Sequence, residues 1–230
     1  MRHKIDRSVP MAKSSLAMLK KIYDIHDRIM GRASWACQET CSACCTRNVT
    51  MTTLEGRYIL ETISPEKGVE ILNQVRASQS EKRYQPKLTA NGFADACLMD
   101  RDIPEEENDP SWGPCPLLQD SRCPIYDQRP MGCRAMVSEA RCDGKEGALM
   151  ADRFVTMGQL FLQYVEHMDQ NGHFGNMSDI LLLLETGTDR PRTGETLSLV
   201  LKNKPASFLL IPPEHQAEMR DLVEEIEKSG

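Results

Sequence analysis

The stretch Cys37-Gln-Glu-Thr-Cys41-Ser-Ala-Cys44-Cys45 places four thiols within nine residues, and the rest of the chain is read outward from it. A second group, Cys115, Cys123 and Cys133, follows about seventy residues later in a segment punctuated by proline. Together the groups hold seven of the nine cysteines. Thiols this dense are either crosslinked to one another or bound to something soft.

Compartment decides between those outcomes. The N-terminal cations are followed by no apolar run of signal-peptide length, because Ser8, Lys13, Ser14, Ser15, Lys20 and Lys21 interrupt it. No segment approaches the roughly 18 uninterrupted apolar residues of a membrane span. The expected location is the cytoplasm, with no membrane partner. Thiols stay reduced there, and clustered cysteines signal metal or redox chemistry rather than a disulfide framework. The odd number of cysteines agrees. At 230 residues the chain can bury a core without covalent staples. Its net charge of -6 supplies no general basic field, and two tryptophans and five tyrosines supply no stacking platform. Nucleic acid is therefore not an expected partner.

Around the cysteines the pattern is helical. Leu16, Leu19, Ile22, Tyr23, His26, Ile29 and Met30 recur at three- and four-residue steps, which predicts an amphipathic helix over Met11 to Met30, ended by Gly31. His26 reads as a packed core histidine. Thr52 or Thr53 can cap a helix to about Thr62 with Glu55 in its first turn. Ser64 and Pro65 open another that should fade near Tyr84, with Val69, Ile71, Leu72 and Val75 as its apolar face. Residues 86 to 135 lack sustained period; short strands are expected at Phe93 to Met99 and a helical turn at Ile125 to Gln128. Phe154, Met157, Phe161, Leu162, Val165 and Met168 stripe a later helix that Asn171 and Gly172 end. His167 and His173 flank that end and read as capping or surface residues. A short buried helix follows at Ile180 to Leu184. Residues 187 to 196 read as a polar loop, Leu197 to Leu201 and Phe208 to Ile211 as short strands. Pro212 and Pro213 introduce a last helix through Met219, Leu222, Val223 and Ile226. The expected fold is mainly α, with an irregular cysteine-rich metal-centred core and at most a few short strands. Three regions are expected: an N-terminal amphipathic helix over 1–34, a cysteine-cluster metal-binding domain over 35–145, and a C-terminal helical region over 146–230 packed on it.

If residues 37–45 were helical, about 100° per residue would bring the four thiols within an arc of about 100°. A stripe of buried cysteines acting as small hydrophobes is the plainer alternative, but it does not account for the vicinal pair. Thiolates select zinc, copper(I) or iron in clusters. A four-cysteine zinc site and a [4Fe-4S] cluster use the same protein groups, so the ligands alone do not separate them. Seven thiols exceed one tetrahedral site, leaving a two-metal site that shares sulfurs or one four-ligand centre with spare thiols. Arg47, Arg129 and Arg134 lie beside the cysteines in sequence. They could offset the roughly two excess negative charges of four thiolates around a divalent ion, or serve as ordinary surface side chains.

The pattern Cys41-Ser-Ala-Cys44-Cys45, then Gly113-Pro-Cys115-Pro-Leu-Leu, then Cys123-Pro-Ile-Tyr126-Asp-Gln-Arg129-Pro130-Met-Gly-Cys133-Arg134, resembles the YkgJ-type cysteine-cluster family. That family is described as chelating zinc or iron, and related modules occur in larger proteins, including flagellin lysine methylases. The resemblance covers residues 35 to 135 and implies Cys41, Cys44, Cys45, Cys115, Cys123 and Cys133 as ligands. Cys37 departs from the family's first CxxC spacing, being three residues from Cys41, and is carried as a seventh candidate. Cys142 is a candidate extra ligand, and Cys97 is expected to pack. Arg129 and Arg134 are the candidate cofactor-binding cations.

Three functions follow as expectations. The first is a metal-binding protein holding an iron–sulfur cluster or zinc through both halves of the motif, so that losing Cys41 or Cys133 has the same effect. The second is an enzyme or accessory subunit using that centre, as the methylase association suggests, although no nucleotide loop, HExxH or paired nucleophile and base is present. The third is a thiol redox protein.

Overall fold

In a computed structural model, which describes residues 13–142, 147–185 and 198–229, the periodic apolar residues of the N-terminal segment form helix α1, Lys13–Met30. Leu19, Ile22 and Tyr23 are buried on one face, while Lys20, Lys21 and Asp24 face solvent. The helix closes with the Gly31 amide donating to the Asp27 carbonyl at 2.8 Å. Next come strand β1, Thr50–Thr52, helix α2, Thr53–Thr62, and helix α3, Pro65–Ala77. A reciprocal capping box starts α2: the Thr52 hydroxyl accepts from the Glu55 amide, and the Glu55 carboxylate accepts from the Thr52 amide. Ser64 caps α3, with Pro65 in its first turn.

The chain continues through α4 (Ala90–Leu98), α5 (Met131–Arg134), α6 (Asp152–Met168), β2 (His173–Asn176), α7 (Met177–Glu185), β3 (Val200–Lys202) and α8 (Gln216–Ser229). The described residues thus form eight α-helices and one small sheet, a mainly α fold with few short strands. In that antiparallel sheet β2 is central, pairing Met51 with Gly175 on one side and Phe174 with Leu201 on the other.

Two apolar cores result. In the first, α1 packs Leu19, Ile22 and Tyr23 against Leu160, Phe161 and Val165 of α6 and Leu222, Val223 and Ile226 of α8. His26 belongs here, buried, with its ring edge on Phe161. The second joins Ile59 of α2, Ile71 and Val75 of α3 and Ile180 and Leu181 of α7, and extends to Leu117 and Ile125 of the irregular segment. Helix α2 contributes to both, through Leu54 and Ile59. It approaches α7 closely at Gly56, where an added Cβ would lie 2.6 Å from Leu184 Cδ1 and 3.0 Å from Ile180 Cγ2.

Three fully or largely buried carboxylates tie these helices together by binding amides at helix starts. Glu55 accepts from the Met131 amide, the first residue of α5, at 2.7 Å, from the Thr52 amide at 2.8 Å and from the Tyr23 hydroxyl at 3.1 Å. Asp169 accepts from the Leu54 amide of α2 at 2.9 Å and the Thr53 hydroxyl at 2.5 Å. Glu166 accepts from the Asn91 amide of α4 and the Lys204 amide, both at 2.7 Å. Each places negative charge where the helix dipole favours it and satisfies amides that the helix itself leaves unpaired. Burial nevertheless raises all three carboxyl pKa values, the hydrogen bonds offsetting part of that cost.

Several sequence expectations need correction. Residues 93–98, expected as strand, belong to α4, because Thr89 caps the Gly92 amide and Glu166 holds that of Asn91. Helix α3 ends at Ala77 rather than near Tyr84, since no apolar side chain follows Val75 to bury on the next turn. Val69, placed on its apolar face, is exposed. Residues 208–211 form no strand. The chain after Gly172, expected as a helix stop alone, enters β2 directly. Residues 187–196, Met11 and Leu197 lie outside the described residues.

Candidate metal centre

The cysteine segments carry little regular structure, so their positions are set by individual hydrogen bonds. Residues 37–45 are not helical as the arc reading required. They run through tight turns, with the Cys41 amide donating to the Gln38 carbonyl at 2.8 Å and the Cys45 amide to Ser42 at 3.0 Å. Trp35 anchors the start, donating its indole N–H to the Met30 carbonyl at 2.8 Å and packing edge-on against Phe154. At the other end, Thr46 bridges Pro114, and the Cys115 amide donates to the Cys45 carbonyl at 2.8 Å. This joins the two halves of the motif across the intervening seventy residues.

Gly113 makes that junction passable. Its φ of 128° is a conformation side chains resist, and a Cβ there would meet the Arg47 guanidinium at 2.7 Å. Asn176 of β2 reinforces it, donating to the Arg47 carbonyl at 2.8 Å and the Tyr84 carbonyl at 3.1 Å. Cys115 and Cys123 rest against the second core, and Cys133 sits in α5, whose first amide is held by Glu55.

Five thiols gather by this means. Cys133 lies within electrostatic reach of Cys115, Cys123 and Cys44, and Cys45 within reach of Cys44, Cys133 and Cys115. Burial pushes the Cys115 thiol up to about 11 and raises those of Cys123 and Cys133. Backbone amides oppose this, Leu117 and Leu118 donating to Cys115 and Ile125 to Cys123. Such donors favour the thiolate, the form that ligates metal. In the vicinal pair the Cys45 thiol donates to Cys44, lowering the Cys44 pKa and raising its own.

The arginines divide. Arg129 stacks on Tyr126, its guanidinium carbon 3.8 Å from the ring centroid, and its charge favours the thiolates of Cys44, Cys123 and Cys133. Arg47 does the same for Cys115. Arg134, expected to bind the cofactor, is occupied on the α1 side: it pairs with Asp27 at 2.5 Å, donates to the carbonyls of Arg129 and Asp127, and stacks on Tyr23. Its charge acts on Lys20, Tyr23 and Asp27.

Cys37 and Cys41 lie to one side, lining a cavity of about 380 Å³ with Cys142. Cys97, expected to pack, is exposed on α4. His167 accepts from the Ala206 amide at 3.1 Å, a local tether. Among the described residues no three Cys, His, Asp or Glu side chains already stand around one point at metal-binding separation. The donor set nevertheless suits a thiophilic metal: thiols from separate segments, amides directed at sulfur, and cations close by. Sequence reading missed Glu55 as the tether of α5, and it missed Ser138, whose amide donates to Cys37 Sγ at 3.2 Å. The capping pattern at Thr52 signals Glu55's local bond, but neither long-range bond has a periodic signature.

Residues 36–152 match one protein-family model, CxxCxxCC, described as a "putative zinc- or iron-chelating domain". The matched stretch contains every cysteine named above. No curated protein and no solved structure matches the chain.

Proposed function

The chain belongs to the CxxCxxCC family of zinc- or iron-chelating domains, and from that premise we propose that it holds zinc or an iron–sulfur cluster through cysteines of both halves of its motif. Cys45, Cys115, Cys123 and Cys133 are the ligands at the heart of the centre, with Cys44 beside them and Cys37 and Cys41 completing the thiolate set. The observation that carries this reading is the junction of the motif's two halves, where the Cys115 amide donates to the Cys45 carbonyl and thiols of three segments come within electrostatic reach of one another. Bound there, the metal supplies structural cross-linking and, as a cluster, one-electron redox chemistry. Arg129 and Arg47 offset the negative charge of the thiolates, and the Leu117, Leu118 and Ile125 amides favour the ionised sulfurs against the burial that raises them. A structural metal of this kind is worth roughly 10–16 kcal/mol, as much as the whole net stability of about 5–15 kcal/mol expected for a domain.

Anaerobic purification followed by elemental analysis and a visible spectrum tests the reading. A brown protein with a broad sulfide-to-iron absorption identifies a cluster, and a colourless one with stoichiometric zinc identifies a zinc site. Folded protein carrying neither would overturn it. A second reading, thiol redox chemistry, draws on the exposed Cys44 thiol, which its hydrogen bond from Cys45 keeps readily ionised. It predicts reversible oxidation of that pair in metal-free protein, seen as loss and recovery of two titratable thiols.

A further inference from the structure

We propose that the cysteines form two adjoining thiolate centres, and that Cys37, Cys41 and Cys142, with Cys44 at the shared edge, bind a second thiophilic metal distinct from the one held by Cys45, Cys115, Cys123 and Cys133. The proposal deepens the metal-binding reading and rests on it.

The geometry separates the groups. Cys37, Cys41 and Cys142 line a single cavity of about 380 Å³, whose wall also includes Thr40 and Arg141. Cys115 and Cys123 instead rest on the second apolar core. Electrostatic reach draws the same boundary: Cys37 lies within range of Cys41, Cys44 and Cys142, and Cys45 within range of Cys44, Cys133 and Cys115. Cys44 belongs to both sets and Cys45 to the inner one.

The cavity wall is built rather than incidental. The Ala36 amide donates to the Ser138 carbonyl at 2.8 Å while the Ser138 amide donates to Cys37 Sγ, so the two strands of chain that carry Cys37 and Cys142 are pinned together. The Ser138 hydroxyl donates to the Ala140 carbonyl at 2.7 Å and accepts from the Leu149 amide at 3.0 Å, shaping the approach to Cys142. Arg141 offers a cation to a centre that would carry excess negative charge.

Ligand arithmetic agrees. Eight thiols remain once the exposed Cys97 on α4 is set aside, which is two complete four-sulfur sets. The vicinal pair lets one turn present a thiol to each set. Metal binding replaces the thiol protons, which leave to solvent as the sulfurs become thiolates.

Cobalt(II) titration of the full chain, stripped of metal and kept reduced under anaerobic conditions, tests the partition through thiolate-to-cobalt absorption and native mass. The expected stoichiometry is two cobalt ions per chain, falling to one in Cys37→Ser/Cys142→Ser and to one in Cys115→Ser/Cys133→Ser, with Cys97→Ser keeping two. Circular dichroism of the outer double variant should match the parent, because its thiols lie outside both cores. A parent that binds one ion, an outer variant that keeps two, or both double variants dropping together to none would overturn the proposal. A parent that binds no cobalt and carries no metal when isolated would overturn the metal-binding reading itself.

Discussion

Replacing Glu55 should loosen the metal centre without touching a thiol. Its carboxylate receives four donors from three parts of the chain: the Met131 and Thr52 amides, the Tyr23 hydroxyl and the Thr52 hydroxyl. Hydroxyls can turn elsewhere, but the two amides are fixed. Glu55→Ala leaves both buried without an acceptor, at about 1–3 kcal/mol each. The expected loss is therefore about 2–6 kcal/mol, a large fraction of the net stability of a domain. Glu55→Gln keeps one acceptor oxygen and sets an amide NH2 against the other backbone N–H, so about half of that loss is expected. Because the Met131 amide opens α5, which carries Cys133, metal release to a competing chelator should accelerate in the same order. Denaturant unfolding and the chelator-transfer rate measure the two effects. If Glu55→Ala leaves the unfolding midpoint and the transfer rate at parental values, Glu55 does not position α5.

Gly172→Ala should destabilise by more than about 2 kcal/mol, since its Cβ would overlap Thr53 Oγ1 and the Asp169 carboxylate, the cap of α2; thermal unfolding measures this. Gly56→Ala should cost about 1–3 kcal/mol by forcing α2 away from Leu184 and Ile180, and an equally stable variant would contradict the packing. For metal-free, reduced protein, alkaline pH should destabilise. The unfolded thiol ionises near 9 and folded Cys115 near 11. Between those values the folded state therefore holds the extra proton, and the stability fully present below pH 9 is lost as pH rises through the window. Burial raises Cys123 and Cys133 in the same sense. The denaturation midpoint should thus decline between pH 9 and pH 11; a rising midpoint in that window would reverse the assignment. Removing metal should also expose residues 100–130 to limited proteolysis while the helical far-ultraviolet signal largely survives.

What could be read in the sequence is what neighbouring residues decide among themselves. The stripe Leu19, Ile22 and Tyr23, the Thr52 and Glu55 capping box and the Ser64-Pro65 start all act within one or two helical turns, and the end of α1, the whole of α2 and the start of α3 fall where they were expected. Helix α4 and strand β2 depend on distant partners: Glu166 lies 75 residues from the amide it caps, and β2 exists by pairing on both edges. The clustering of cysteines and their family resemblance were legible from spacing. Their arrangement was not, because residues 36–47 follow bonds to Ser138, Gly113 and Cys115 rather than a helical period. Arg134 shows the same limit, since adjacency to Cys133 says nothing of the pull of Asp27 and Tyr23.

The bond from Asn176 to the Arg47 carbonyl spans 129 residues. It sets an order of events during synthesis. The first cysteine turn leaves the ribosome long before the strand that clasps its far end, and β1 waits for the same strand to pair. Non-local closure of this kind is slow and late. Four thiols close together must therefore remain reduced and uncommitted while more than half the chain is still to be made. Metal delivered early would meet loose thiols, and metal delivered after β2 emerges would meet a site already framed.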